Sequence, residues 1–115
     1  TMADWNEVGV RASNFYFKIF RKTEDYDEAL EGFESEIIEK MEEEGINFEE
    51  SWEFDLPTKD ISTILAGVVK AAKENDDDDL KGALHTHIVN KLFDAQDKHG
   101  EDQYDKWYKT INEIF

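Results

Sequence analysis

The chain contains no cysteine, a single proline and less than half as many bases as acids. Without cysteine there is no disulfide and no thiolate chemistry, which fits a cytoplasmic setting. The lone proline, Pro57, ends whichever element precedes it. No apolar run approaches the roughly 20 residues of a membrane span. No basic stretch followed by an apolar one marks a secretion signal, and Thr1 ahead of Met2 reads as a cloning remnant before the natural start. Thirteen bases against 29 acids leave a net charge of −16. That argues against DNA, RNA or an anionic membrane as the direct ligand, because phosphate binding needs Lys and Arg to displace counterions.

Signatures of catalysis are missing as well. Ser13, Ser35, Ser51 and Ser62 stand in no GxSxG context, and the six glycines are scattered rather than gathered into a phosphate loop. His85 and His87 are two residues apart, so on a helix they point to different sides. Neither HExxH nor ExxH occurs. His99, just before Gly100, is placed to meet free carbonyls at a helix end. The twelve residues from Asp94, DAQDKHGEDQYD, have the length of a calcium loop, but Gln96, Lys98, His99 and Asp105 occupy its third, fifth, sixth and twelfth places. The NDDDDL run reads as a solvated turn whose last aspartates favour the start of the next helix. The sequence therefore predicts a protein that is not an enzyme, with no catalytic residue, no metal site and no cofactor.

What is present is a generous supply of core-forming side chains: eight Phe, four Tyr and three Trp in 115 residues. A chain of this length buries roughly 65% of its unfolded surface and can form one domain, residues 1–115. Helical periodicity dominates. Trp5, Val8, Ala12, Phe15, Tyr16, Ile19 and Phe20 recur at 3–4 spacing, with Asp4 and Glu7 as a capping pair. A rival reading makes residues 7–21 a hairpin, because FYFKIF favours strand. Tyr26, Leu30, Phe33, Ile37 and Met41 form the clearest stripe, opened by Asp25 and Glu28 and stopped by Gly45. In INFEESWEFDLP the signals conflict. Asn47 with Glu50 suggests a cap and Phe48 with Trp52 a helical pair, whereas Trp52, Phe54 and Leu56 alternate like a strand near 51–56. Helices follow from about Asp60 to Glu74, along Leu80, Leu84, Ile88, Leu92 and Ala95 with Val89 and Phe93 widening the face, and from Tyr104 to Phe115, where Tyr104, Trp107 and Tyr108 are expected to pack in the core. The expected fold is all-α, a compact bundle of about five to six helices. The alternative is α+β, with the N-terminal hairpin and the short strand.

The charge is not spread evenly. Residues 1–22 carry a net +2, residues 57–115 a net −4, and residues 23–56, with fifteen acids and only Lys40 as a base, a net −14. Ten of those acids lie between Asp25 and Glu44. Glu42, Glu43 and Glu44 crowd the C-terminal end of the helix, where its dipole disfavours them, with no evident local compensation. A need for solubility would not be so local, whereas a surface that faces a partner would be. A twenty-residue helix is about 30 Å long, and one DNA strand presents about nine charges over that length.

The expectation is an acidic binding protein that inhibits a basic, nucleic-acid-handling protein (a nuclease or nucleic-acid-binding protein) in the manner of an immunity protein, a phage-type defence inhibitor or a nucleic-acid mimic. The expected contacts are Glu31, Glu34, Glu39, Glu42 and Glu43 on the helix, then Glu49, Glu50, Trp52, Glu53 and Asp55, with Trp52 stacking on a partner's cation. The alternatives are an assembly module that oligomerises through aromatic surfaces, and a plain solvated helical domain. Nothing in the sequence fixes the oligomeric state.

Overall fold

Five helices of eleven residues or more, two four-residue helical turns and a closing 3-10 turn account for the secondary structure of residues 3–115, the part that a computed structural model describes. Thr1 and Met2, the suggested remnant and start, lie outside the described residues. In chain order the helices are α1 (Trp5–Thr23), α2 (Tyr26–Glu43), α3 (Trp52–Asp55), α4 (Thr58–Lys73), α5 (Asp78–Asp94), α6 (Gln96–His99) and α7 (Glu101–Ile111). The all-α expectation holds. The two short turns, α3 and α6, are what carry the number of helices beyond six.

No hairpin forms in residues 7–21. The Asp4 carboxylate accepts the Glu7 N–H at 3.1 Å and starts α1. Ser13, in the supposed hairpin turn, sits buried in the middle of the helix and donates its hydroxyl to the Gly9 carbonyl at 2.8 Å. Burying Trp5, Val8, Ala12 and Tyr16 along one helical face outweighs the strand preference of Phe15, Tyr16 and Phe17. Phe15 is left largely outside the core.

Helix α2 begins and ends as its sequence suggests. Asp25 accepts the N–H groups of Asp27 and Glu28. At the other end the Gly45 N–H reaches the Glu42 carbonyl and the Ile46 N–H the Met41 carbonyl, with Gly45 at φ 71°. That pairing requires the left-handed residue that glycine supplies without strain. Ala29, Phe33, Ile37 and Met41 face inward, while Tyr26 is exposed and stacks on Phe20, ring centroids 4.1 Å apart.

The segment before Pro57 is neither a strand nor a helix capped by Asn47. Only Trp52–Asp55 is helical, and the Asp55 carboxylate folds back to accept the Glu49 and Glu50 N–H groups at 3.2 and 3.0 Å. Asp77 caps α5 through the Asp79 and Leu80 N–H groups. The calcium-like stretch from Asp94 runs through the end of α5, α6 and the start of α7.

Helices α1 and α4 cross most closely, glycine against backbone. A Cβ on Gly9 would overlap the Ile64 carbonyl, and one on Gly67 would overlap the Asn6 carbonyl. One apolar cluster draws on six helices, all but α6, with Trp52, Trp107, Tyr16 and Phe33 among its largest members. No helix among the described residues is long and apolar enough to cross a membrane.

Candidate functional site

The acids of α2 divide into two classes. Four are tied to cations of the same chain: Glu34 to Lys91 at 3.0 Å, Glu36 to Arg11 at 3.2 Å, and Glu43 and Glu44 to Lys40 at 3.2 and 3.6 Å. Lys40 is thus the local compensation that the C-terminal glutamates were expected to lack. A fifth acid, Asp25, caps the helix. The other five, Asp27, Glu28, Glu31, Glu39 and Glu42, are exposed and have no cation within 4 Å among the described residues. Glu31 also lines a shallow groove of about 310 Å³ with Asp27, Leu30, Glu34, Ser35 and Ile38. These positions fall on one side of α2, because residues three, four and seven apart share a helical face.

The residues expected to contact a partner separate accordingly. Glu31, Glu39, Glu42 and Glu43 lie exposed on α2, and Glu49 and Glu50 lie exposed in the loop after it. Glu34 is partly buried and committed to Lys91. Asp55 organises the loop and approaches Lys98 at 4.0 Å. Trp52 is fully buried and meets Phe33 edge to face at 6.3 Å, so it cannot stack on a partner's cation. Glu53 is 2% exposed and cannot reach a partner either. The acids around Trp52 suggested a surface, but the ring turns inward because its apolar area outweighs its neighbours' need for water.

Asp27 and Glu28 were missed as members of the open face. Glu28 read only as the capping partner of Asp25 and Asp27 was not singled out, although their place one turn before Glu31 was visible in the sequence.

Behind α2 lies a partly buried charge cluster, of which only Glu53 is fully enclosed. Lys91 Nζ sits 3.0 Å from Glu34 Oε1 and 3.9 Å from Glu53 Oε1. Glu53 Oε2 and Trp52 Nε1 have no hydrogen-bond partner among the described residues. Burial pushes the Glu53 carboxyl above its ordinary pKa, with Glu34 adding to the rise and Ser51 and Lys91 opposing it. Burial alone would pull Lys91 down, but the bond to Glu34 and the charges of Glu53, Glu34 and Asp94 raise it overall.

Folded Glu53 therefore holds a proton more tightly than the unfolded chain does. Its contribution to stability falls as pH rises from the unfolded carboxylate value to its own raised value. Glu53→Gln, which keeps the shape and removes the charge, is expected to raise the melting temperature at pH 7 by about 4 °C, the equivalent of ~1 kcal/mol. The gain should shrink at pH 4, where wild-type Glu53 is protonated. Thermal melts at both pH values test this, and a variant less stable than wild type at pH 7 would contradict it.

The three histidines tie helices together. Tyr16 Oη and His87 Nδ1 are 3.3 Å apart. Burial holds His87 below its ordinary pKa, against the pull of Asp27 and Glu34. His99 Nε2 lies 2.8 Å from the Glu53 carbonyl and its Nδ1 lies 3.3 Å from the Thr58 hydroxyl. This is the carbonyl contact expected of His99, made to α3 instead of its own helix end. His85 bonds Asn112 at 2.7 Å. No group of three or more potential metal ligands converges among the described residues. In comparisons with protein-family models, curated proteins and solved structures, nothing matches this chain.

Proposed function

We propose that this is a cytoplasmic, non-catalytic binding protein whose acidic face occupies the nucleic-acid site of a basic protein and so inhibits it, as an immunity protein or a phage-encoded defence inhibitor would. The observation that carries this reading is the set of five acids on α2 that have no cation partner among the described residues, continued by Glu49 and Glu50. From Asp27 to Glu42 the helix rises about 22 Å, a length over which one DNA strand carries six or seven phosphates. Five such acids over that distance approach the phosphate density. The cations that could have quenched the face are spent on Glu34, Glu36, Glu43 and Glu44. The face is built on a capped helix with a packed inner side, so presenting it to a partner costs little ordering entropy. Its field would also speed capture of a cationic partner.

The test begins with this protein as bait in a lysate, washed at about 0.1 M and then about 1 M salt, across which screening shortens from roughly 10 Å to 3 Å. A basic nuclease or DNA-binding protein should be held at low salt and released at high salt. Duplex DNA should then compete with this protein for the recovered partner. A partner that binds DNA and this protein simultaneously would rule out the mimic.

A further inference from the structure

Two apolar side chains interrupt the acids of α2. Leu30 and Ile38 line the shallow groove on this helix, and both are half-buried, with Leu30 packed inward on the core. Asp27, Glu31, Glu34 and Ser35 complete the lining. Lys91 holds Glu34 Oε1 at 3.0 Å, so that carboxylate is already matched. Asp27 and Glu31 are exposed and have no cation within 4 Å among the described residues. They stand four residues apart, which sets their Cβ atoms about 5–6 Å from each other on one helical face. The groove therefore combines two open carboxylates with an apolar strip about 12 Å long, from Leu30 to Ile38.

The two features together select the occupant. A small cation would gain from the carboxylates but not from Leu30 and Ile38, and no group of three or more potential metal ligands converges among the described residues. A purely apolar group would strip water from Asp27 and Glu31 without replacing it. A long side chain with an aliphatic stem and a cationic head satisfies both. Of the two such side chains, arginine fits better. Its planar fork can donate to two carboxylates at once, whereas a lysine ammonium is a compact, strongly hydrated point charge. The chain makes one contact of this kind within itself: Arg11 reaches from α1 to Glu36 on α2 at 3.2 Å.

We propose that the groove between Asp27 and Ile38 receives an arginine side chain of the basic partner, its stem on Leu30 and Ile38 and its guanidinium bridging Asp27 and Glu31. This contact rests on the acidic-face reading for the identity of the partner. It adds what a row of phosphates does not offer, an apolar seat at one fixed point. A single seated arginine sets the register of the complex, which a uniform line of charge would leave free to slide.

The probe is N-acetyl-arginine amide, with N-acetyl-lysine amide beside it, each titrated to about 50 mM at a total ionic strength of about 0.15 M. Methyl NMR signals of Leu30 and Ile38 report binding. The arginine probe should shift both saturably, with a dissociation constant on the order of 10 mM, and should bind about threefold or more tightly than the lysine probe. Glu31→Gln, at an exposed position, should keep the wild-type melting temperature and weaken arginine binding about fivefold or more. Asp105→Asn removes the same charge from an exposed position on α7 and should leave arginine binding unchanged. Shifts that grow linearly without saturating would overturn the proposal, as would equal affinity for the two probes or equal loss in the two variants. The failures are distinguishable. A chain that captures a basic partner yet shows no saturable arginine shift loses the seat and keeps the acidic face, whereas arginine binding without capture of such a partner does the reverse.

Discussion

Gly9→Ala should lower stability by about 2–3 kcal/mol and the melting temperature by roughly 10 °C. Helix propensity alone predicts the opposite sign, a gain of about 1 kcal/mol from alanine inside a helix. The local structure decides against it. The new methyl group would overlap the Ile64 carbonyl, which belongs to the α4 backbone and cannot rotate aside as a side chain could. Gly67→Ala should behave alike, because its Cβ would overlap the Asn6 carbonyl and come within 3.0 Å of the Val10 nitrogen. Both substitutions push the same two helices apart. The double variant should therefore lose less than the sum of the single losses, since separation forced by one relieves the other. Urea unfolding of the three variants measures this. A single variant as stable as wild type would mean that α1 and α4 are not held in backbone contact.

Trp52→Ala should be costlier still, about 3–5 kcal/mol, the range for emptying a buried aromatic site. Trp52 is wholly enclosed and packs on Phe33 from α2, so its loss opens a cavity where the loop after α2 meets the core. Trp52→Phe should cost much less. It keeps most of the apolar volume and removes an indole N–H that has no partner among the described residues. The contrast separates core from interface. An interfacial Trp52 would lose binding with little change in melting temperature, whereas a core Trp52 loses stability first. Chemical denaturation of both variants, followed by tryptophan fluorescence, distinguishes these outcomes.

Much of the architecture was legible because several local signals agreed. In α2 the Asp25 cap, the stripe from Phe33 to Met41 and the Gly45 stop all point to one element, and each operates as expected. In α1 they conflicted: aromatic β propensity suggested a hairpin, and tertiary burial overrode it. The small residues Gly9, Ala12 and Ser13 at helical spacing were the available sign of a closely crossing partner helix, and all three are buried.

The candidate site was legible in charge but not in burial. Counting acids located the charge on α2, yet a count cannot tell Glu31, open to solvent, from Glu34, which Lys91 binds from another helix 57 positions along the chain. Glu53 and Trp52 misled for the same reason. Acidic neighbours mark a segment as surface only when the backbone does not fold inward, and here the Asp55 carboxylate folds it. Phe93 and Tyr108 misled in the other direction. They extend apolar helical patterns, but the stripes drift out of the core at those positions and leave the rings in water.

The most direct test of the central claim replaces Glu31, Glu39, Glu42, Glu49 and Glu50 together by glutamine and compares this variant with wild type in capture from a lysate at about 0.1 M salt. These side chains are exposed and make no ion pair among the described residues, so the variant should melt at or slightly above the wild-type temperature. Its capture of a basic, nucleic-acid-handling protein should fall about a hundredfold, as expected when the steering field and the contact charges vanish together. A folded variant that captures the same protein as well as wild type does would contradict the account and leave the glutamates of α2 as a solvated surface.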